Sequence, residues 1–191
     1  MSSRNKIIVT AALLLVITGL GAADYYVSGD GFGAQVANPN TPAPTGAVAK
    51  ASGPSIENVA QTLNLETSKS DDLSLLAQAV TDGTQVESTA ILHDGDRAGS
   101  VTWVESANVK NYFIAIKEAL LSAFSNQVSE LRDETLQEAD KPVRNILTFK
   151  DPQLSDERIL FVRVRERLYE FHIADGQEET MNKLVEALTG R

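Results

Sequence analysis

Arg163, Arg165 and Arg167 stand at alternate positions in the stretch Phe161–Phe171, FVRVRERLYEF, and His172 comes directly after it. A guanidinium is a planar fork that grips a carboxylate or phosphate through two parallel N–H bonds. Two of them on one face of a strand could therefore hold an anion. Arg163 and Arg165 have that parity, while Arg167 falls at an expected turn. The plainer reading is that Arg163 pairs across the strands with Glu170, leaving Arg165 and Arg167 in solvent. Such cross-strand pairs stabilise by only some tenths of a kcal/mol and suit a wet sheet face. Arg163, Arg165, Arg167 and His172 are thus the candidate ligand-binding residues.

Other chemistry is thinly supported. The chain has two histidines and no cysteine. Thiolate zinc sites, thiol nucleophiles and disulfides are therefore excluded. His93-Asp94-Gly95-Asp96 places one imidazole beside two carboxylates, but polar residues around Asp-Gly are also what a tight turn requires. There is no HExxH, GxSxG, SxxK, Walker or kinase-type signature. The acidic run from Glu130 to Asp140 lacks the glycine-punctuated spacing of a calcium loop and reads as a solvated helix face. No catalytic residue, metal or cofactor is expected from these patterns.

The elements that must position the arginines are partly periodic. Leu160, Val162 and Val164 are apolar at even positions, and Tyr169, Phe171 and Ile173 at odd ones. Side chains alternate along a strand, so one unbroken strand cannot bury both sets on one face. A hairpin turning at Glu166-Arg167 repairs this, setting Val164 against Tyr169, Val162 against Phe171 and Leu160 against Ile173. Upstream, Gln85–His93 and Ser100–Glu105 form a second hairpin around DGDRAG. Val109, Phe113, Ile116, Leu120 and Phe124, extended by Val128 and Leu131, give the helical spacing of a long central helix. Ser55–Leu63 and Asp71–Val80 read as short helices, the second capped by Ser70. Val143–Phe149 alternates as a strand. Gln177–Leu188 closes the chain as a helix with Asp175 and Glu178 in capping-box spacing and Gly190 as its stop.

The expected fold is α+β: an antiparallel sheet of about five strands packed by the long central helix and the C-terminal helix. The final hairpin and amphipathic helix, roughly 35 residues, resemble the closing units of the Mog1/PsbP-type α/β/α sandwich, which implies helices in layers about the sheet.

The remaining sequence concerns placement. Residues 1–27 start with Arg4 and Lys6, succeeded by an uncharged run from Ile7 to Ala23. As an uncleaved anchor, residues 7–23 would sit at the short end of what spans a bilayer, with Tyr25 and Tyr26 at the far interface. As a signal peptide they would be removed near Ala23, releasing a secreted protein. The aromatic pair favours the anchor, and both readings export the rest of the chain. Residues 28–54 are rich in Gly, Pro, Ala and Thr without apolar period, the composition of a flexible linker. GDGFG within it has no strand before it or helix after it to make a phosphate loop.

Residues 55–191 then form the extracytoplasmic domain, periplasmic or cell-surface. The whole chain carries −9, and the first 54 residues carry +1 through Arg4, Lys6 and Lys50 against Asp24 and Asp30, so this domain holds −10. A domain that acidic repels phosphate backbones, so nucleic acid is not an expected partner. The functional expectation is a membrane-tethered binding or accessory module, a non-catalytic subunit of an envelope assembly with a protein partner. Its alternatives are an exported enzyme with a His/carboxylate site and a small-anion-binding sensor.

Overall fold

A computed structural model describes residues 54–123, 129–139, 141–152 and 155–190. The expected N-terminal anchor or signal, and the linker apart from Pro54, lie outside the described residues. Among those described, no helix is long and apolar enough to cross a membrane.

The elements run α1 (Ile56–Thr62), β1 (Glu66–Lys69), α2 (Leu75–Ala79), β2 (Glu87–His93), β3 (Asp96–Glu105), α3 (Val109–Ala123), β4 (Ser129–Leu136), β5 (Arg144–Lys150), β6 (Arg158–Val164), β7 (Arg167–Ile173) and α4 (Glu178–Thr189). The strands form one seven-stranded sheet in the order β1-β2-β3-β7-β6-β5-β4, with every pairing antiparallel. The fold is α+β, with a larger sheet than the five strands expected and with helices in each of the four stretches expected to hold one.

Those helices lie on both faces of the sheet. Leu75 and Leu76 of α2 and Val109, Phe113, Ile116 and Leu120 of α3 pack on Phe149, Ile159, Phe161 and Leu168. On the opposite face, Ile56 of α1 and Met181, Leu184 and Leu188 of α4 pack on Val162, Tyr169, Phe171 and Ile173. Consequently β7 is buried along its whole length. A strand covered on both sides cannot show the clean alternation of a half-wet one.

The terminal hairpin forms, but its turn is Arg165-Glu166 and not Glu166-Arg167. Val164 pairs with Arg167, Val162 with Tyr169 and Leu160 with Phe171. The slip is two residues, which preserves which side chains share a face, so the expected core set is retained. A tight turn needs positive φ, and Arg165 supplies it at 53° despite its side chain.

Four other expectations are corrected. The central helix ends at Ala123, and Leu131 belongs to β4; Phe124 and Val128 lie outside the described residues. The stretch from Glu130 to Leu136 is an edge strand instead of a helix face, exposed except at Leu136. Its ladder is supplied by β5, so its own side chains need carry no apolar pattern. Ser74 caps α2 by accepting from the Ala77 N–H at 3.0 Å. Ser70 bonds Asp72 instead. At α4 the cap residue is Gln177 without a side-chain bond, whereas Gly190 ends the helix in the left-handed conformation as expected.

Candidate functional site

The hairpin that carries the candidate arginines divides them between two environments. The first is a buried charged cluster. Glu170 lies in β7 between apolar neighbours, wholly buried on the face that meets α2. An uncompensated carboxylate there would be very costly. It is compensated by accepting from Ser74 Oγ at 2.5 Å, the Leu75 N–H at 3.1 Å and the Leu76 N–H at 2.7 Å. These are orphan donors at the start of α2, so one side chain fastens that helix to the sheet.

Glu170 also meets His172 Nε2 at 2.8 Å. On the other side of the ring, Nδ1 faces Glu157 at 3.6 Å. Glu157 accepts in turn from Arg97 of β3 at 3.0 Å, and Arg97 reaches Asp72 at 2.7 Å. Charges alternate along this chain: Glu170, His172, Glu157, Arg97, Asp72. Burial alone would discharge the imidazole, but its bonds to Glu157 and Glu170 outweigh that and push its pKa up to about 9. Although burial opposes ionisation of Glu157, the larger influence of its bond to His172, with Arg97 adding to it, lowers that carboxyl. At neutral pH His172 is therefore an imidazolium between two carboxylates.

Such a histidine is a poor general base, since a base must be unprotonated near working pH. Ser74 resembles a nucleophile only superficially. Its proton goes to Glu170 and not to the histidine, and its oxygen caps α2.

Arg167 belongs to the scaffold too, contrary to its expected place in an exposed turn. It is buried beside Tyr169 and lies over the ring of Trp103 at 4.8 Å. It pairs with Glu105 at 2.8 Å and donates to the Pro54 carbonyl at 3.3 Å and to the Tyr169 hydroxyl at 3.1 Å. Charge-assisted bonds of this kind are among the stronger polar contacts in a protein.

The second environment is open. The expected Arg163–Glu170 pair does not form; Arg163 pairs in register with Leu168, and Glu170 with Phe161. Arg163 instead donates from Nε to Asn145 Oδ1 at 3.0 Å, with its Nη2 on the same oxygen. Asn145 orients the guanidinium without neutralising it. Arg163 and Arg165 line one open depression together with Lys141, Pro142 and Val143. Among the described residues no carboxylate pairs with Arg163 or Arg165, whereas Lys141 is held by Glu138 at 2.7 Å.

His93 is half-exposed at the β2–β3 turn, 3.8 Å from Asp94, and Asp94-Gly95 form the turn itself. Among the described residues, no group of histidines and carboxylates could hold a metal ion.

Sequence reasoning thus brought Arg163 and Arg165 together, gave Glu170 a solvent-side role it does not have, and missed Glu157, Arg97 and Lys141. Glu170 had one legible signal: a lone carboxylate inside Leu168–Ile173, where a doubly covered strand leaves no water. The others depend on contacts between distant segments. No protein-family model, no curated protein and no solved structure matches this chain.

Proposed function

We propose that the protein is a membrane-tethered, extracytoplasmic binding or accessory module that serves an envelope assembly through a protein partner, periplasmic or cell-surface. The observation that supports this reading over an exported His/carboxylate enzyme is the enclosure of His172. Both of its ring nitrogens face carboxylates, and Glu170 is consumed in fastening α2. In this reading the cluster around His172 serves architecture, and the depression lined by Arg163, Arg165 and Lys141, open to solvent, offers a place for a partner.

In this reading residues 7–23 stay in the membrane, residues 28–54 give the domain reach, and the acidic domain meets the partner. The test is in-cell crosslinking and then pull-down of the full chain, with an N-terminal mass measurement on the recovered protein. A stable partner together with an intact N-terminus supports the reading. Recovery of the chain alone sinks the assembly role, and a mass beginning after Ala23 sinks the tether.

A further inference from the structure

The domain's two ends differ in charge balance. One holds more acidic than basic side chains although Arg97, Lys150 and Arg158 lie there, and the other sets Arg163, Arg165 and Lys141 among Glu105, Glu138 and Glu166. Asp94, Asp96, Asp156, Asp175, Glu178 and Glu179 gather where β2 turns into β3, where β6 begins and where β7 ends. At the opposite end the β6–β7 turn presents Arg165 at its tip, beside Arg163 and Lys141. Among the described residues, the depression they line, roughly 520 Å³, has no acidic residue in its wall. Val143, 42% exposed, and Pro142 add apolar surface among these cations.

A second observation concerns the route of the chain. Pro54, the first described residue, lines an adjoining depression with Lys141, Pro142 and Arg165 and with the carboxylates Glu105 and Glu166. Its carbonyl is fixed there by Arg167. Whatever precedes residue 54 therefore joins the domain at the end that carries Arg163 and Arg165.

We propose that the end formed by Arg163, Arg165, Lys141 and Val143 docks the domain on the anionic phosphodiester headgroups of the membrane that holds its N-terminal segment. This rests on the tether reading above. Guanidinium forks match phosphate oxygens, and an apolar residue ringed by cations suits the headgroup boundary. A domain with a net charge of −10 is repelled by an anionic leaflet in most orientations, so approach through this one end also fixes its orientation. Glu138 and Glu166 moderate the field, but Glu138 is shared between Lys141 and Arg144.

The chain lacks cysteine, so Val143→Cys gives a single attachment point for an environment-sensitive fluorophore, and Asp94→Cys gives the control at the acidic end. The labelled full chain is reconstituted with phosphatidylcholine vesicles or with vesicles containing about one third phosphatidylglycerol. Flotation with neutral vesicles reports the tether; quenching of the Val143 label by headgroup-labelled lipid reports docking.

The expected result is quenching at position 143 only with the anionic lipid, suppressed by salt, and absent at position 94. Arg163→Gln/Arg165→Gln should reduce docking by roughly 30-fold while flotation persists. Equal quenching at both positions, in both lipids or in the double variant overturns the proposal. So does a label that ignores anionic vesicles but responds to a polyglutamate peptide, which would assign this end to an acidic protein segment. Failure to float with neutral vesicles overturns the tether alone, because arginine-dependent quenching on anionic vesicles is still required of the docking surface.

Discussion

Glu170 and Arg163 stand on adjacent strands of one hairpin, yet they live under opposite physics. Around Glu170 every charge is matched inside the protein, from the α2 amides through His172 and Glu157 to Arg97 and Asp72. Around Arg163 and Arg165 the described residues supply a neutral amide and no paired carboxylate. Where water is excluded, pairing is a condition of folding. Where water remains, an unpaired cation costs little and stays available to something outside. Residue type alone therefore says little about a charged side chain's duty; enclosure decides it.

The comparison breaks most sharply at Glu170. Glu170→Gln keeps the shape but puts an amide against the Leu75 and Leu76 N–H groups and takes the charge from beside His172. A loss of about 3–5 kcal/mol in urea unfolding is expected. Gly99→Ala comes next. A β-carbon there would lie 2.0 Å from the backbone oxygen of His172, so strands β3 and β7 must part, for roughly 3 kcal/mol.

The third effect depends on pH. The folded pKa of His172 is raised from 6.5 to about 9, so its contribution is fully present below 6.5 and lost as pH rises through 9. Stability should fall by on the order of 3 kcal/mol across that span, and His172→Gln should flatten the profile. Glu157 works in the other direction. Its lowered pKa gives a contribution present above 4.5 that disappears as pH falls through its folded value. Maximum stability is thus expected in mildly acidic solution, between these limits.

Arg167→Ala should cost about 2 kcal/mol and change Trp103 emission, since it strips the guanidinium from that ring and frees the Pro54 carbonyl. The smallest effect sharpens the contrast: Arg165→Ala should stay within about 0.5 kcal/mol in unfolding experiments. A larger loss there would mean that the open end is structural too.

The sequence carried the α3 stripe, both hairpins and the inward-facing residues of β6 and β7, because each is written in local periodicity. The β6–β7 register was missed by two residues, yet the faces came out correctly because a shift of two leaves parity intact. Ser129–Leu136 was illegible for a different reason. As an edge strand it needs only β5 for its ladder, and its charges, Glu130, Arg132, Asp133 and Glu134, discourage pairing with other chains. Of the site, the Arg163–Arg165 pair was readable from spacing. The His172 cluster was not, because its members come from separate segments that only the closed sheet brings together.

The strand order also sets a timetable. The middle of the sheet is the β3–β7 ladder, which joins Gly99 to Ile173. Synthesis delivers β3 long before β7, so β3 must wait with Val101 and Val104 uncovered and one edge open until Arg167–Ile173 arrives. Closing so long a loop is slow compared with forming either hairpin. Biogenesis therefore has a vulnerable interval that ends only once β7 has been made. A chain stopped before β7 would be left not as a smaller domain but as two sticky half-sheets.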